Sequence, residues 1–341
     1  MLTMVLAALM VFAVLVGPVF IGPIKRNVEL FFLVAGVATA CLMGQFSSAL
    51  IWAALREPLS FTLAVLVFGA GFRLLRDFLD ELFASVVQVL DPKAVCFLLT
   101  IILGFLAAII TPVVSALVFV EAISVLRLER PAEIFVTVSA CFAIGLGAGL
   151  TPVGMPGIAV VLHALHADFW YLTRLLGPFV VVGIVLSALP TLLLRIGSIE
   201  LEQTVVIAPR DSWWVVLLAR PGKVYVFIAG LVALSEGLRP LLDAYVPRLP
   251  SESLFWLNTI SAVVNNSTLA VVEMGPTLSV NQQRAALLGL LISGGMFVPG
   301  NIANIVAASR LRITSREWAT VGMPMGIAML GIYFAVLKVL G

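Results

Sequence analysis

Long apolar runs separated by short charged connectors are the main pattern of this chain. A helix needs roughly 17 to 25 mostly apolar residues to cross the hydrocarbon core of a bilayer. The candidate membrane segments are residues 2–22, 28–44, 59–71, 94–110, 134–150, 169–194, 224–241, 285–298 and 318–340. Several of them are short for a complete crossing, which is typical of broken or re-entrant helices. The pattern predicts an all-α polytopic membrane protein.

Composition supports this fold class and excludes several functions. Of the 341 residues, 62% are apolar and only 11% are charged, whereas a soluble domain has about 25% charged residues. The net charge of +2 does not predict a nucleic-acid partner. The three cysteines lack the spacing of a metal site. With no phosphate-binding glycine loop and no nucleophile–base pair, we expect no enzyme activity and no cofactor.

Two polar clusters interrupt the apolar sequence in its second half. Residues 265–268 read Asn-Asn-Ser-Thr, and residues 299–304 read Pro-Gly-Asn-Ile-Ala-Asn. Polar groups placed in a bilayer without partners cost roughly several kcal/mol each, so we expect them to serve a polar ligand. Their uncharged oxygens and amides suit either a dehydrated cation such as Na⁺ or a carboxylate. Hydrogen bonding between helices is the alternative. The predicted ligands are Ser261, Asn265, Asn266, Ser267, Thr268, Asn301 and Asn304.

A faint internal repeat relates these clusters to the first half of the chain. Residues 115–118 (Ser-Ala-Leu-Val) match residues 261–264 (Ser-Ala-Val-Val). A glycine-containing hexamer then ends in proline, 37 positions after the first serine and 38 after the second. Prolines that break membrane helices expose carbonyls at one end and amides at the other, and paired breaks mark transporter binding sites. The predicted site therefore also includes Ser115, Thr151, Pro152, Gly154, Gly295, Pro299 and Gly300.

The repeat also predicts a division of the chain and two candidate acids. N-terminal helices would occupy residues 1–58, the first repeat 59–195, a polar connector 196–223 and the second repeat 224–341. Glu121 lies in the first repeat and Glu273 in the second. A carboxylate within a membrane is costly and is a functional hypothesis by default, here the exchange of a proton for a cation. A partly hydrated position at a helix end is the alternative for both.

The motifs resemble those of a known family. Residues 145–154 (Gly-Leu-Gly-Ala-Gly-Leu-Thr-Pro-Val-Gly), 258–269 and 292–305 are similar to the motifs of the family described as predicted cation transporters. That family is similar to a wider ion transporter superfamily, which includes D-type sodium/proton antiporters, arsenite exporters and dicarboxylate carriers. The resemblance covers nearly the whole chain. It implies two inverted repeats, each with a re-entrant hairpin and a broken helix, in a homodimer.

Two departures from the family pattern affect the predicted coupling. Asn265 stands where the family tends to have Asp, and Met155 stands where it tends to have an acid after Thr-Pro-x-Gly. Proton coupling would then depend on Glu121 or Glu273, or the site would be non-acidic. We predict a multi-pass secondary transporter of the inner (plasma) membrane, with sodium/proton antiport as the favoured mode. A sodium-coupled carrier of a small organic or inorganic anion is the alternative, and a passive channel is a third.

Overall fold

A computed structural model gives the architecture of the protein. The structure describes residues 9–14, 27–74, 90–155, 162, 165, 167–194, 218–259, 270, 274 and 277–340. Throughout these ranges the regular elements are helices, and no strand occurs among them. The expectation of an all-α protein is therefore confirmed. Most of the predicted first segment, residues 2–22, and most of the predicted connector lie outside the described residues.

Besides a helical stretch at residues 9–14, eleven helices organise the described chain. They are α1 (Val28–Leu42), α2 (Ser48–Leu74), α3 (Pro92–Ile110), α4 (Pro112–Val125), α5 (Arg130–Ala148), α6 (Tyr171–Ala188), α7 (Arg220–Tyr245), α8 (Ser251–Leu257), α9 (Val280–Ser293), α10 (Ile302–Arg310) and α11 (Ser315–Leu340). Short 3-10 turns follow α6 (Leu189–Leu193), follow α7 (Val246–Arg248) and precede α10 (Val298–Gly300). Five helical segments of the described chain are long and apolar enough to cross a membrane: Pro92–Ile110, Arg130–Ala148, Tyr171–Leu193, Pro221–Pro240 and Ser315–Val339. These lengths support a multi-pass membrane protein.

The described helices bury two separate apolar clusters. In the first, α7 packs against α1 and α2 around Phe32, Leu231 and Leu234. The backbones of α1 and α7 approach closely because Gly36 faces Gly230, as small residues allow in membrane helix pairs. The second and larger cluster is shared by the remaining helices, with α5 at its centre. From Val136 to Leu150 every residue is buried, so α5 contacts protein on all sides.

Helix boundaries differ from the hydropathy prediction at several positions. Helix α2 continues through Pro58, where the sequence predicts a boundary. Membrane helices tolerate proline because neighbouring groups satisfy the carbonyl that loses its donor. Helices α4, α8 and α10 were not predicted as segments, because 14, 7 and 9 residues are too few to produce a membrane-length apolar signal. Helix α7 begins at Arg220, within the predicted connector.

Candidate functional site

Helical structure stops at three places within the larger cluster that we call interruptions. The first interruption lies between α3 and α4 at Thr111. Its backbone has φ 76°, a left-handed value that is rare and strained for a β-branched residue. The next residue, Pro112, has no N–H to donate to the carbonyl of Ala108, which a continuous helix would require. Instead the hydroxyl of Thr151 donates to the Ala108 carbonyl. A side chain from another segment therefore satisfies the group that the proline leaves free.

The second interruption, residues 149–155, follows α5 and packs against the end of α3. Thr151 Oγ1 also accepts a hydrogen bond from the Gly154 backbone N–H, 3.3 Å away. A methyl group on Gly154 would lie 2.4 Å from the Ala148 carbonyl oxygen and 2.7 Å from that of Ala107. Only glycine fits so close to two carbonyls. Thr151, Pro152 and Gly154, all predicted site residues, are buried in this interruption.

The third interruption, residues 294–301, lies between α9 and α10. Asn301 begins α10 by accepting a hydrogen bond from the Ala303 backbone N–H at 3.2 Å. Pro299 cannot donate to the carbonyl of Gly295, which would be its helical partner. The indole Nε1–H of Trp318 donates to that carbonyl at 3.1 Å. As at Thr111, a side chain from another segment replaces the donor that the proline lacks.

Asn304 holds the third interruption together from the first turn of α10. Its Nδ2 donates to the carbonyls of Gly294 at 2.8 Å and Phe297 at 2.9 Å. The reversed amide would place an oxygen against both carbonyl oxygens, so these contacts define the orientation. Asn304 Oδ1 is buried and has no hydrogen-bond partner in the described chain. A buried acceptor therefore remains available beside the interruption.

The third interruption packs against α5. A methyl group on Gly145 would lie 2.6 Å from Nδ2 of Asn301. One turn earlier on α5, the ring of Phe142 lies against Gly295, and one turn later Gly149 contacts the side chain of Leu291. The C-terminal half of α5 therefore contacts the interruption at 294–301 before its own chain breaks at 149–155.

Two further buried hydroxyls lack partners in the described chain. Ser115 lies in the first turn of α4, and Ser139 lies on α5; both Oγ atoms are buried without a hydrogen bond. Helix α4 packs against α10, which carries Asn304. Serine hydroxyls in helices usually bond the carbonyl four residues earlier when no other partner exists. These hydroxyls do not, so each has both donor and acceptor capacity to offer a ligand.

A family profile described as protein of unknown function (DUF1646) matches residues 3–340, nearly the entire chain. The chain belongs to the DUF1646 family. Among curated proteins, none matches this DUF1646 chain. The profile match covers nearly the whole chain, as the motif resemblance does, but its description names no activity.

Several predicted site residues of this DUF1646 chain cannot be compared with the geometry. Ser261, Asn265, Asn266, Ser267, Thr268 and Glu273 lie outside the described residues. Pro299 is partly buried and Gly300 is buried within the third interruption. Met155, where an acid was expected from the resemblance, is buried at the end of the second interruption. Across the described chain, no group of three or more His, Cys, Asp or Glu side chains could hold a metal ion.

Glu121 lies apart from the interruptions. It follows Thr111 by ten positions on α4, which corresponds to roughly 15 Å along a helix axis. Its side chain is partly exposed, and it lies one turn before α4 ends at Val125. The structure therefore does not bring Glu121 into the same contact set as Thr151 or Asn304. Its role in proton coupling stays a prediction.

Sequence reasoning missed Thr111, Ser139, Phe142 and Trp318. Thr111 had a detectable signal, because Thr111-Pro112 repeats the Thr151-Pro152 pair inside an apolar stretch. The other three had none, because a lone serine, phenylalanine or tryptophan in an apolar helix is compatible with ordinary packing. Their roles depend on which interruption they contact.

Proposed function

We propose that this chain is a secondary active transporter that binds a cation at the interruptions between its helices, with sodium/proton antiport as its mode. The observation that carries the proposal is Oδ1 of Asn304, which is buried and has no hydrogen-bond partner among the described residues. Because both amide hydrogens of Asn304 face backbone carbonyls, this side chain offers a ligand only an acceptor. An acceptor attracts a cation or a hydrogen-bond donor and repels a carboxylate.

The surrounding chemistry supports a cation in the same way. Interrupted helices in transporters present backbone carbonyls and helix C-terminal ends to Na⁺. Here α9 ends at Ser293 and α5 ends at Ala148. The two C-terminal ends lie side by side, because Gly149 contacts the side chain of Leu291. The negative ends of two helix dipoles favour positive charge at that place. Ser115 adds an uncharged hydroxyl from α4, which packs against α10.

We further propose that the two halves are repeats. Helix α3 ends at Ile110 and α8 at Leu257, while α5 ends at Ala148 and α9 at Ser293. These ends are separated by nearly the same step as the Ser115 and Ser261 motifs. In each half the two helices run parallel to each other: α3 with α5 in the first half, and α8 with α9 in the second. Thr151, just after α5, contacts α3 near its end at Ala108, and Ser293 of α9 donates to the Asn258 carbonyl at the end of α8.

Contacts at the helix ends support an inverted relation between these repeats. Arg130, at the start of α5, donates to the Leu311 carbonyl just before α11 begins. Arg284, near the start of α9, lines a cavity together with Lys338 at the end of α11. The starts of α5 and α9 therefore lie at opposite ends of α11. Two equivalent helices that enter a membrane from opposite sides are what inverted-topology repeats produce.

The abrupt turn at Thr111 supports a re-entrant hairpin formed by α3 and α4. Helix α3 runs parallel to α5, since Gly104 lies beside Ala143 and Ala108 lies beside Thr151. Only four residues separate the end of α4 from the start of α5, so α4 must return toward the end from which α5 starts. An arrangement of this kind leaves the tip at Thr111 inside the protein, beside the second interruption.

A sodium-coupled carrier of a small anion is the second candidate, and one observation favours it. Helix α4 begins without a side-chain cap, because Thr111 makes no capping hydrogen bond. An uncapped helix N-terminus presents amides and the positive end of the helix dipole, which attract carboxylate or phosphate groups. In this alternative, the anion would lie at the start of α4 and the cation near Asn304.

Proteoliposomes containing the purified protein and an internal pH-sensitive dye test the proposal. An inward sodium gradient should make the lumen alkaline, because sodium entry drives proton exit. We expect Asn304→Ala to abolish the response, whereas Asn27→Ala, at an exposed asparagine before α1, should retain it. If the wild type moves no protons but accumulates labelled sodium only with an added anion, the carrier alternative replaces antiport. Absence of any sodium movement contradicts both.

A further inference from the structure

A cavity of about 290 Å³ lies between the start of α8, the first turn of α9 and the end of α11. Lys338 lines it at the end of the apolar span Ser315–Val339, so the cavity opens at the boundary of the membrane. Its walls combine charged, polar and aromatic side chains: Glu252, Phe255, Asn281, Arg284, Phe334 and Lys338. No residue of the three interruptions lines it, so the cavity is separate from the proposed transport site.

Two cationic groups in this cavity have no carboxylate partner among the described residues. The Arg284 guanidinium carbon lies 5.5 Å from the ring centroid of Phe179, and Nη1 is 3.3 Å from Asn281 Oδ1. Arg284 Nε is buried without a hydrogen-bond partner in the described chain. Lys338 Nζ lies 5.6 Å from the ring centroid of Phe334. Contacts to ring faces are weaker than charge-assisted hydrogen bonds, so an oxygen-bearing anion would be a stronger partner for both cations.

An acid in the same cavity narrows the chemistry of the ligand. Glu252 lines the cavity, and its Oε2 lies 3.4 Å from the hydroxyl of Ser251. Two cations and one carboxylate complement a group that carries both a phosphate and an ammonium. A simple anion would give Glu252 no cationic partner and would be repelled by it.

The surface beside the cavity is apolar and exposed. Trp256, next to Phe255, is 44% exposed and lies 5.3 Å from the ring of Phe334. On α11, Ile332 and Val336 are also exposed. Tryptophan is enriched at the level of lipid headgroups, and basic pockets between membrane helices bind headgroup phosphates. A ligand whose polar end enters the cavity could therefore lay acyl chains along α11.

We propose that this cavity binds the headgroup of phosphatidylethanolamine. The phosphodiester accepts hydrogen bonds from Arg284 and Lys338, and the primary ammonium donates to Glu252. Free phosphoethanolamine and inorganic phosphate share part of this chemistry. The exposed apolar surface of α11 favours the lipid as its source.

Native mass spectrometry of the purified, delipidated protein tests the proposal. The protein is titrated with phosphatidylethanolamine, phosphatidylglycerol or phosphatidylcholine. We expect one tightly bound phosphatidylethanolamine and at least tenfold weaker binding of the other two, because a quaternary ammonium cannot donate a hydrogen bond to Glu252 and a glycerol headgroup carries no cation. Arg284→Gln with Lys338→Gln should lower phosphatidylethanolamine affinity at least tenfold. Glu252→Gln should reduce the preference for ethanolamine over glycerol.

Matched variants separate this site from general attraction between basic residues and lipid. Arg248→Gln and Arg310→Gln remove exposed charges outside the cavity and should leave binding unchanged. Because Lys338 is exposed, the single variant Lys338→Gln should fold normally and still bind more weakly. Equal affinity for the three lipids, or unchanged binding in the double variant, would overturn the proposal. Stabilisation by inorganic phosphate or phosphoethanolamine without any lipid effect would show that a soluble ligand occupies the cavity, and would also overturn it.

Discussion

Arg130 at the start of α5 binds Glu317 in the first turn of α11 through two parallel contacts. Nε and Nη2 of the guanidinium each lie 3.2 Å from one carboxylate oxygen of Glu317. The same guanidinium donates to the carbonyls of Leu311 and Arg312, both at 2.9 Å. Arg312 has a left-handed φ of 54°, so Arg130 supports the turn between α10 and α11 where the backbone is least regular. One side chain thus joins two segments that are distant in sequence.

Replacement of Arg130 should destabilise the protein more than its exposure suggests. Arg130→Gln removes the paired contact to Glu317 and the donors to two carbonyls, and we expect a lower midpoint of thermal unfolding. Arg130→Lys should recover little of this, because one ammonium cannot reproduce the fork of a guanidinium. Thermal unfolding in detergent measures the change. Arg310→Gln, at an exposed arginine of α10, is the matched control; an equal loss in both variants would contradict this account.

The hydroxyl of Thr151 should matter more than its methyl group. Thr151→Ala leaves the Ala108 carbonyl, which Pro112 deprives of a helical donor, without a partner in a buried position. An unsatisfied buried group of this kind costs about 1–3 kcal/mol. Thr151→Ser keeps the hydroxyl and should retain most of the stability, whereas Thr151→Val keeps the shape and should behave like alanine. The midpoints of thermal unfolding of the three variants measure the effect. A serine variant as unstable as the valine variant would contradict the assigned hydrogen bond.

The fold and the site were predictable to different depths. Hydropathy predicted α3, α5, α6 and α11 to within a few residues, because a span needs a minimum apolar length. In the described chain, Pro152 follows the end of α5 and Pro299 lies between α9 and α10, as expected from a residue that removes a helical donor. Which group replaces that donor was not predictable. Trp318 and Gly295 are 23 positions apart and Thr151 and Ala108 are 43 apart, and only the packing of separate helices brings them together.

Asp168 lies just before the apolar span Tyr171–Leu193, and its ion pair with Arg174 should give a small acid-sensitive contribution to stability. Arg174 Nη2 lies 2.6 Å from Asp168 Oδ2, and this hydrogen bond lowers the pKa of the aspartate. Because the folded pKa is below the unfolded one, the contribution is present above the ordinary aspartate pKa of about 3.9. It is lost as the pH falls through the lowered value.

Arg174→Gln measures that contribution. Both side chains are largely exposed, so solvent screens the pair and the difference in Tm between wild type and variant should be small at pH 7. The difference should persist to about pH 5 and shrink toward zero below the ordinary aspartate pKa. High salt at pH 7 should shrink it as well. A difference that grows on acidification would contradict the sign of the pKa shift.

Gly145 and Gly177 allow a packed helix surface to be compared with an open one. A methyl group on Gly145 would lie 2.6 Å from Nδ2 of Asn301, whereas one on Gly177 of α6 meets no atom within 4 Å. We expect Gly145→Ala to lower the unfolding free energy by about 1–3 kcal/mol, because Asn301 or the backbone around it must move. Gly177→Ala should be neutral or slightly stabilising, because alanine favours the helix more than glycine does. Sodium-dependent proton movement in proteoliposomes should fall in the first variant and not in the second. Equal stability and equal transport in both variants would mean that Asn301 does not pack against α5 in the membrane.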